Sequence, residues 1–412
     1  MKEIYGKVRA CGMKHCLPPI YGSDITAENW EQRRVQIVRL FEKNVFGRTP
    51  RDGFETRANL LYAAEALEGT AKREFYRITV RTKRGSAAFH MALVLPNPQK
   101  PVPAVLMISN HEKTPAAVKG PDMSALEELM ARAPKEWRTD VERMMAAFQK
   151  GGASMPQLLD IERDTAQGYW PVEQILASGR AAAAFYAGEV QPDDRRLFPA
   201  ALARLFAGED TARKPDGLGT LGVWAFAASR AADVLCAHAG IDAKKISLAG
   251  HSRGAKTALW CAAQDTRIHS VLVNDSGCTG AAVSRGKRGE NVASINAFFP
   301  HWFCPSYARY AWREDEMPFD QHMLLAAVAP RLCYVASGAQ DAWSDPDAEW
   351  LGAREASAAW RLFGHPELPR NAPLAGEPII TEGIGYHRRE GGHDLTAWDW
   401  MQFLLFLDKN DA

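Results

Sequence analysis

The stretch Lys245-Ile246-Ser247-Leu248-Ala249-Gly250-His251-Ser252-Arg253-Gly254-Ala255-Lys256-Thr257-Ala258-Leu259-Trp260 decides the fold. A short β-branched and apolar run enters Gly-His-Ser-Arg-Gly, and a helix-forming run leaves it. This is G-x-S-x-G in a strand–turn–helix setting. There a sharp turn holds its serine in a strained conformation at the top of a parallel sheet, and the glycines let the chain pass without clashes. The pentapeptide alone arises often by chance, the alternative being a plain loop serine. The flanking strand and helix favour a nucleophile at Ser252.

A serine hydroxyl is a poor nucleophile near neutral pH, so it needs a base and a residue to orient that base. In the α/β-hydrolase arrangement these follow in chain order as serine, acid and histidine. The run from Ala329 to Asp341 reads as a buried strand ending in a loop that carries Asp341. Arg389-Glu390-Gly391-Gly392-His393-Asp394-Leu395-Thr396 places His393 in a glycine-bearing loop, and the amphipathic run Trp398 to Leu407 follows as a closing helix. Taken singly, His393 also fits a surface or capping position, because Asp394 and Thr396 can start that helix. Order and placement at strand ends favour the triad.

The chain has 11 histidines that compete for the base role. His251 sits inside the elbow, where it packs beside the nucleophile. His387 lies on the charged stretch His387-Arg388-Arg389-Glu390, which suggests a solvated loop. His301 and His322 are stronger competitors, lying in aromatic or apolar segments between Ser252 and Asp341.

The 412 residues suit one enzyme-sized α/β domain, and 46% hydrophobic content is ample for its core. A net charge of +1 points to neither nucleic acid nor an anionic membrane as partner. No apolar run is long enough to span a bilayer. Met1 to Ala10 lacks the apolar core of a secretory signal, so the protein is expected to be cytoplasmic, or secreted or periplasmic with its signal removed. Seven scattered cysteines do not make a disulfide framework, and Cys236, Cys261, Cys278 and Cys333 read as buried thiols. No C-x-x-C or H-E-x-x-H pattern is present, so neither a metal nor another cofactor is expected. Oligomeric state is not legible.

Residues 1–50 form a helical N-terminal segment, with a helix expected from Thr26 as cap to about Phe46. Glu74 to Val80 and Ala87 to Leu95 alternate like two antiparallel strands, and Val102 to Ser109 fits a central parallel strand. That strand ends at Asn110-His111, where α/β-hydrolases commonly place an oxyanion-hole element. Residues 112–168 are expected to be a helical insertion over the sheet edge. Ala181 to Tyr186 resumes the strand pattern, Leu218 to Ala239 reads as a long helix, and 240–412 form the catalytic half.

Several motifs together resemble the bacterial branch of the glucuronoyl esterases, the fifteenth carbohydrate esterase family. They are Gly250 to Trp260, Asn274-Asp275-Ser276-Gly277-Cys278, Phe299-Pro300-His301-Trp302-Phe303, Asp320 to Leu325, Asp341-Ala342-Trp343 and Gly391-Gly392-His393-Asp394. Trp30-Glu31-Gln32-Arg33-Arg34 and Phe46-Gly47-Arg48-Thr49-Pro50 extend the likeness to the N-terminal segment. It covers most of the chain outside 112–168. The resemblance implies an α/β-hydrolase fold and hydrolysis of esters between glucuronic acid on xylan and lignin alcohols.

It also implies residue roles. The backbone N–H of Arg253 belongs to the oxyanion hole, and its guanidinium faces the tetrahedral oxyanion, where a cation in a dry site is worth far more than in water. Lys256, four residues after Ser252 and on the same helix face, donates to sugar hydroxyls; read alone it is a solvated helix lysine. Glu290 and Trp343 match positions that hold the glucuronate ring, a carboxylate accepting from hydroxyls and an indole offering a donor and an apolar face. Trp302 is a further candidate, although most of the 12 tryptophans must be core. Fungal members carry a glutamate on the strand after the nucleophile, and the matching residue here is Asp275, one methylene shorter. Asp341 therefore takes the orienting role, with Asp275 as a second acid. Another serine hydrolase of the same fold, such as a carbohydrate acetyl esterase or a peptidase, and an inactive sugar-binding relative remain alternatives.

Overall fold

A computed structural model describes residues 16–97, 100–110, 130, 131, 133, 138, 168–207 and 213–411. Apart from single positions, the expected 112–168 insertion lies outside these residues. The core is a ten-stranded sheet in the order β1-β2-β3-β5-β4-β6-β7-β8-β10-β9. Its strands are β1 (Phe54–Ala66), β2 (Ala71–Thr82), β3 (Gly85–Pro96), β4 (Val102–Ser109), β5 (Ala181–Tyr186), β6 (Ile241–His251), β7 (Ile268–Asn274), β8 (Leu332–Gly338), β9 (Ile379–Ile380) and β10 (Ile384–Arg389). From β5 to β10 neighbours in that order run parallel, while β1, β2 and β3 form an antiparallel wing on one side and β9 pairs antiparallel at the other edge.

The central strands read as continuous apolar runs because both faces are covered. On β4, Ala104, Leu106 and Ile108 join one core, while Val105 and Met107 join the other. The first core lies under α1 (Trp30–Phe41), α3 (Thr220–Ala237), α4 (Arg253–Gln264) and α5 (Pro346–Ala356). The second lies under α2 (Val172–Ala177) and the closing helix α6 (Ala397–Asp411). The N-terminal segment is bound into this frame by Phe46, whose ring stacks on buried Trp260 of α4 at 4.6 Å.

The register lines up one rung across the carboxyl ends of the parallel strands. His251 of β6 is level with Asn274 of β7, Asn274 with Ala336 of β8, and Ala336 with His387 of β10. Ser252 and Asp275 follow this rung directly, and Asp341 and His393 lie on the loops that leave β8 and β10. A site at the carboxyl edge of the sheet is the usual result of this topology.

Three local expectations need correction. The first helix starts at Trp30 rather than near Thr26, and the Asn29 side chain accepts from the Thr26 N–H at 2.7 Å, so Thr26 is not its cap. α-Helical bonding ends at Phe41 and widens into a π-helical turn over Glu42–Phe46. His387 is not on a solvated loop but fully buried on β10, with Asp399 and the Tyr334 hydroxyl as partners. Strand β1 was not expected; it is largely exposed at the sheet edge and lacks a clean alternation. No helix among the described residues is long and apolar enough to cross a membrane.

Candidate active site

Ser252 sits between β6 and α4 with φ 56° and ψ −124°, a backbone region that residues with a Cβ rarely occupy. The strain is held by the surroundings. The Ser252 N–H donates to the Asn274 carbonyl at 2.9 Å, and the Ser252 carbonyl accepts from the N–H groups of Ala255 and Lys256. Both flanking glycines are required by close approach. A Cβ on Gly250 would collide with the Gly254 carbonyl, and one on Gly254 would lie 2.8 Å from the Ile108 carbonyl oxygen. The turn aims the first N–H groups of α4, the positive end of its dipole, toward the space above Ser252.

His393 projects over this elbow. Its ring lies 4.5 Å from that of His251, and its Nδ1 is 2.6 Å from Asp341 Oδ2. The other carboxylate oxygen of Asp341 accepts the Ser344 N–H at 3.0 Å. Burial pushes the Asp341 carboxyl up, but His393 and Ser344 outweigh it and hold the group well below the ordinary aspartate range. Partial desolvation pushes His393 down, although its side chain is 41% exposed, yet the Asp341 hydrogen bond and charge, with Asp275 adding, leave it above the ordinary histidine value.

Asp275, almost fully buried with φ 42°, occupies a different place. Its Oδ1 accepts from Gly338 N–H at 2.5 Å and its Oδ2 from Asp394 N–H at 3.0 Å, with Arg389 Nη2 at 3.4 Å. It therefore ties the β8 and β10 loops together beneath His393. Burial drives its pKa well above the usual carboxylate value; His393 opposes this, and Asp341 and Glu349 add to it. Ligand atoms of Asp275, Asp341 and His393 lie within 4.8 Å of one another. Those oxygens already accept protein N–H groups, so the cluster is built to hold a proton donor rather than to chelate a cation.

Lys256 lies on the Ser252 face of α4, but it is not solvated. Only 3% exposed, its ammonium donates to the Ser276 carbonyl at 2.5 Å and pairs with Glu290 Oε2 at 3.3 Å. The Glu290 N–H in turn donates to the Trp343 carbonyl at 3.0 Å. The Trp343 side chain is half-buried and packs against the small cluster of Ala133 and Ala293. Of the three expected sugar contacts, Lys256 and Glu290 are thus paired directly, and Trp343 is tied to them through its backbone carbonyl.

Arg253 Nη1 lies 2.7 Å from Asp193 Oδ2, and its guanidinium sits 5.9 Å from the centre of the Trp302 ring. The Trp302 indole N–H donates to Asp193 Oδ1 at 2.5 Å, and His301 Nε2 meets the same oxygen at 2.8 Å. Trp302 stacks on Phe299 with centroids 3.9 Å apart. His301 is thereby committed away from the nucleophile. His322 is bonded to the Pro18 carbonyl at 2.9 Å, which removes the second competitor.

Three groups escaped the sequence reading. Asp193 lies in a loop after β5 with no motif around it. Glu349 of α5 is fully buried and accepts from the Ser276 and Ser337 hydroxyls and the Gly277 N–H. Asp399 of α6 accepts from Arg389, His387 and Thr396, and Arg389 also donates to the carbonyls of Gly392 and Asp394. The only available cue was the pairing of His387 with Arg389, spaced to share one face of a strand. Asn110, expected near the oxyanion hole, accepts from the Tyr169 hydroxyl at 2.6 Å; His111 lies outside the described residues.

A cavity of about 720 Å³ opens at the opposite end of the strands, beside Asp265 and Arg267. Of the five arginines that line it, Arg34, Arg51, Arg230 and Arg267 are paired with Glu31, Glu42, Asp233 and Asp265. It is remote from the elbow and holds none of the groups described above.

A mostly parallel sheet with a strained serine at its carboxyl edge, followed by acid and histidine loops, defines an α/β-hydrolase. A fungal glucuronyl esterase family model matches residues 212–364. A carbohydrate esterase from an unidentified prokaryote is 33% identical over 402 residues, 96% of this chain and 89% of that protein. A glucuronoyl esterase structure from Solibacter usitatus superposes with TM-score 0.78 at 33% identity, covering 95% of this chain and 97% of that one. A structure described as a promiscuous family 15 carbohydrate esterase, from a marine bacterial metagenome, gives 0.77 at 32% identity, covering 95% and 96%. The chain belongs to the glucuronoyl esterases of carbohydrate esterase family 15.

Proposed function

We propose that the protein hydrolyses esters of glucuronic acid or its 4-O-methyl ether by two-step acyl transfer at Ser252. The observation that carries this reading is the 2.6 Å contact between His393 Nδ1 and Asp341, on loops leaving the rung that ends in Ser252. Asp341 fixes the tautomer in which Nε2 is free to accept the serine proton. The serine oxygen then attacks the uronate carbonyl carbon. The new oxyanion faces the first N–H groups of α4 and the Arg253 guanidinium, both in place before charge develops. His393 returns its proton to the leaving alcohol. Water, deprotonated by the same imidazole, releases the uronic acid and frees Ser252.

Glu290, Lys256 and Trp343 form the sugar side of the pocket in this reading. What supports it is their linkage: a buried carboxylate–ammonium pair tied through backbone to the half-buried Trp343. Arg253 and Lys256 lie where the anionic product leaves, so they also hold that product back. Asp275 acts through position, securing the loop that carries His393.

The test is hydrolysis of benzyl glucuronate beside a simple acetyl ester, for wild type and Ser252→Ala. Preference for the uronate ester, lost in the variant, supports the reading. Acetyl-ester activity alone keeps Ser252 as nucleophile but transfers the function to a different ester class. No activity on either ester refutes the proposal.

A further inference from the structure

We propose that Asp193 is a positioning residue of the esterase reaction, which aims the Arg253 guanidinium at the oxyanion and locks Trp302 beside it. The inference rests on the oxyanion role given to Arg253 above. Asp193 is a carboxylate with its two oxygens divided between two tasks. Oδ2 holds Arg253 Nη1 at 2.7 Å, while Oδ1 takes the Trp302 indole N–H at 2.5 Å and His301 Nε2 at 2.8 Å. Its side chain is only 10% exposed. Burial pushes its pKa up, but the Arg253 charge and the His301 and Trp302 bonds outweigh this and keep it below the ordinary value.

The physical need is plain. An arginine side chain has about 2 kcal/mol of rotamer freedom, and one directly after the nucleophile has many ways to point into solvent. Catalysis by a fixed charge requires that it be oriented before the reaction, since reorientation would otherwise be added to the barrier. Here one buried anion sets the guanidinium on one side, and the Trp302 ring, 5.9 Å away, limits it on another. Among the described residues Arg253 makes no other ion pair, so Nε and Nη2 are left for the reacting centre. The Trp302 ring is itself clamped between Phe299 and the Asp193 bond. His301, whose own backbone carbonyl accepts from Arg213 at 3.1 Å, anchors the carboxylate to the frame. Asp193 touches no reacting atom; it acts through Arg253.

The experiment is a cycle of Asp193→Asn, Arg253→Ala and the double variant, with kcat and KM for benzyl glucuronate. Asparagine keeps an acceptor for Trp302 and His301, while at the oxygen that holds Arg253 an uncharged NH₂ replaces both the charge and the acceptor. We expect Asp193→Asn to lower kcat roughly 10- to 100-fold, below the ~10²–10³ of losing an oxyanion donor outright, with KM changed less than about threefold. In the Arg253→Ala background the same change should have no further effect on kcat. Added guanidinium ion should partly restore Arg253→Ala but not the double variant, because Asp193 is needed to seat it. This rescue separates positioning from a merely structural role.

If the two kcat losses multiply, or rescue is equal with and without Asp193, the positioning role is wrong. Unchanged kcat in Asp193→Asn also overturns it. If Arg253→Ala itself retains full kcat, the oxyanion role given to Arg253 fails, and this proposal falls with it. Should Asp193→Asn fold poorly, His301→Gln, which removes the anchor but keeps the carboxylate, should give a milder kcat loss that is likewise absent in Arg253→Ala. A loss that persists there refutes the proposal.

Discussion

Replacing Asp341 by asparagine tests the orienting carboxylate in a way the geometry makes unusually sharp. The two oxygens of Asp341 serve different donors: the Ser344 backbone N–H at 3.0 Å and the His393 Nδ1 at 2.6 Å. An asparagine must satisfy both with one carbonyl and one amide. The Ser344 N–H cannot change its role, so the carbonyl stays there and the NH₂ turns toward His393. Nδ1 must then accept, and the imidazole proton moves to Nε2, the nitrogen that the proposed mechanism needs free to take the serine proton. The base is presented in the wrong tautomer.

A tautomer error of this kind lowers kcat by ~10⁴, equivalent to about 5.5 kcal/mol of transition-state stabilisation. Asp275→Asn, by contrast, keeps an acceptor for one of its two backbone donors and leaves the His393–Asp341 bond intact. It should cost on the order of tenfold in kcat and a measurable part of the stability. The assay is single-turnover and steady-state hydrolysis of benzyl glucuronate by both variants, with circular dichroism to confirm folding. A loss of less than tenfold in Asp341→Asn, or a larger loss in Asp275→Asn, would refute the assignment of Asp341 as the orienting acid.

The pH dependence follows from the same contact. The Asp341 carboxylate favours imidazolium and raises the His393 pKa, so the neutral base appears only at higher pH. The acidic limb of kcat/KM should therefore lie above the ordinary histidine value and shift to lower pH in Asp341→Asn, even as the plateau falls; a pH–rate profile checks this. Gly254→Ala forces a Cβ to 2.8 Å from the Ile108 carbonyl, and should destabilise by about 1–3 kcal/mol in urea denaturation while distorting the nucleophile turn. Glu290→Gln leaves the buried Lys256 ammonium without its counter-charge. It should cost about 3–5 kcal/mol in the same assay and raise KM for the uronate ester more than for an acetyl ester.

Much of the framework was legible because local and global signals agree. The elbow carries its strand, its glycines and its helix within sixteen residues. The strands Val102–Ser109 and Ala181–Tyr186 stand out because burial on both faces demands uninterrupted apolar runs. What failed to show were residues whose meaning depends on distant partners. His387 and Arg389 look solvated among their charged neighbours, yet both point to Asp399, ten or more positions later on another element. Asp193 lies 60 positions before Arg253, in a loop with no pattern to single it out. The sequence favoured Asp341 over Asp275 from its position after the strand, but the backbone N–H groups that both oxygens of Asp275 accept could not be read there. β1 was missed because an exposed edge strand has no face to enforce alternation.

Asp399 gives the closing helix a second meaning. It stands in the first turn of Ala397–Asp411 and receives Arg389, which in turn grips the carbonyls of Gly392 and Asp394 on either side of His393. The nucleophile turn is assembled from residues made far earlier. The His393 loop, by contrast, is held through Arg389 by a carboxylate of the closing helix. Loosening the docking of Ala397–Asp411 is therefore expected to free the His393 loop before it disturbs the turn at Ser252, a difference that hydrogen exchange of the two segments would read.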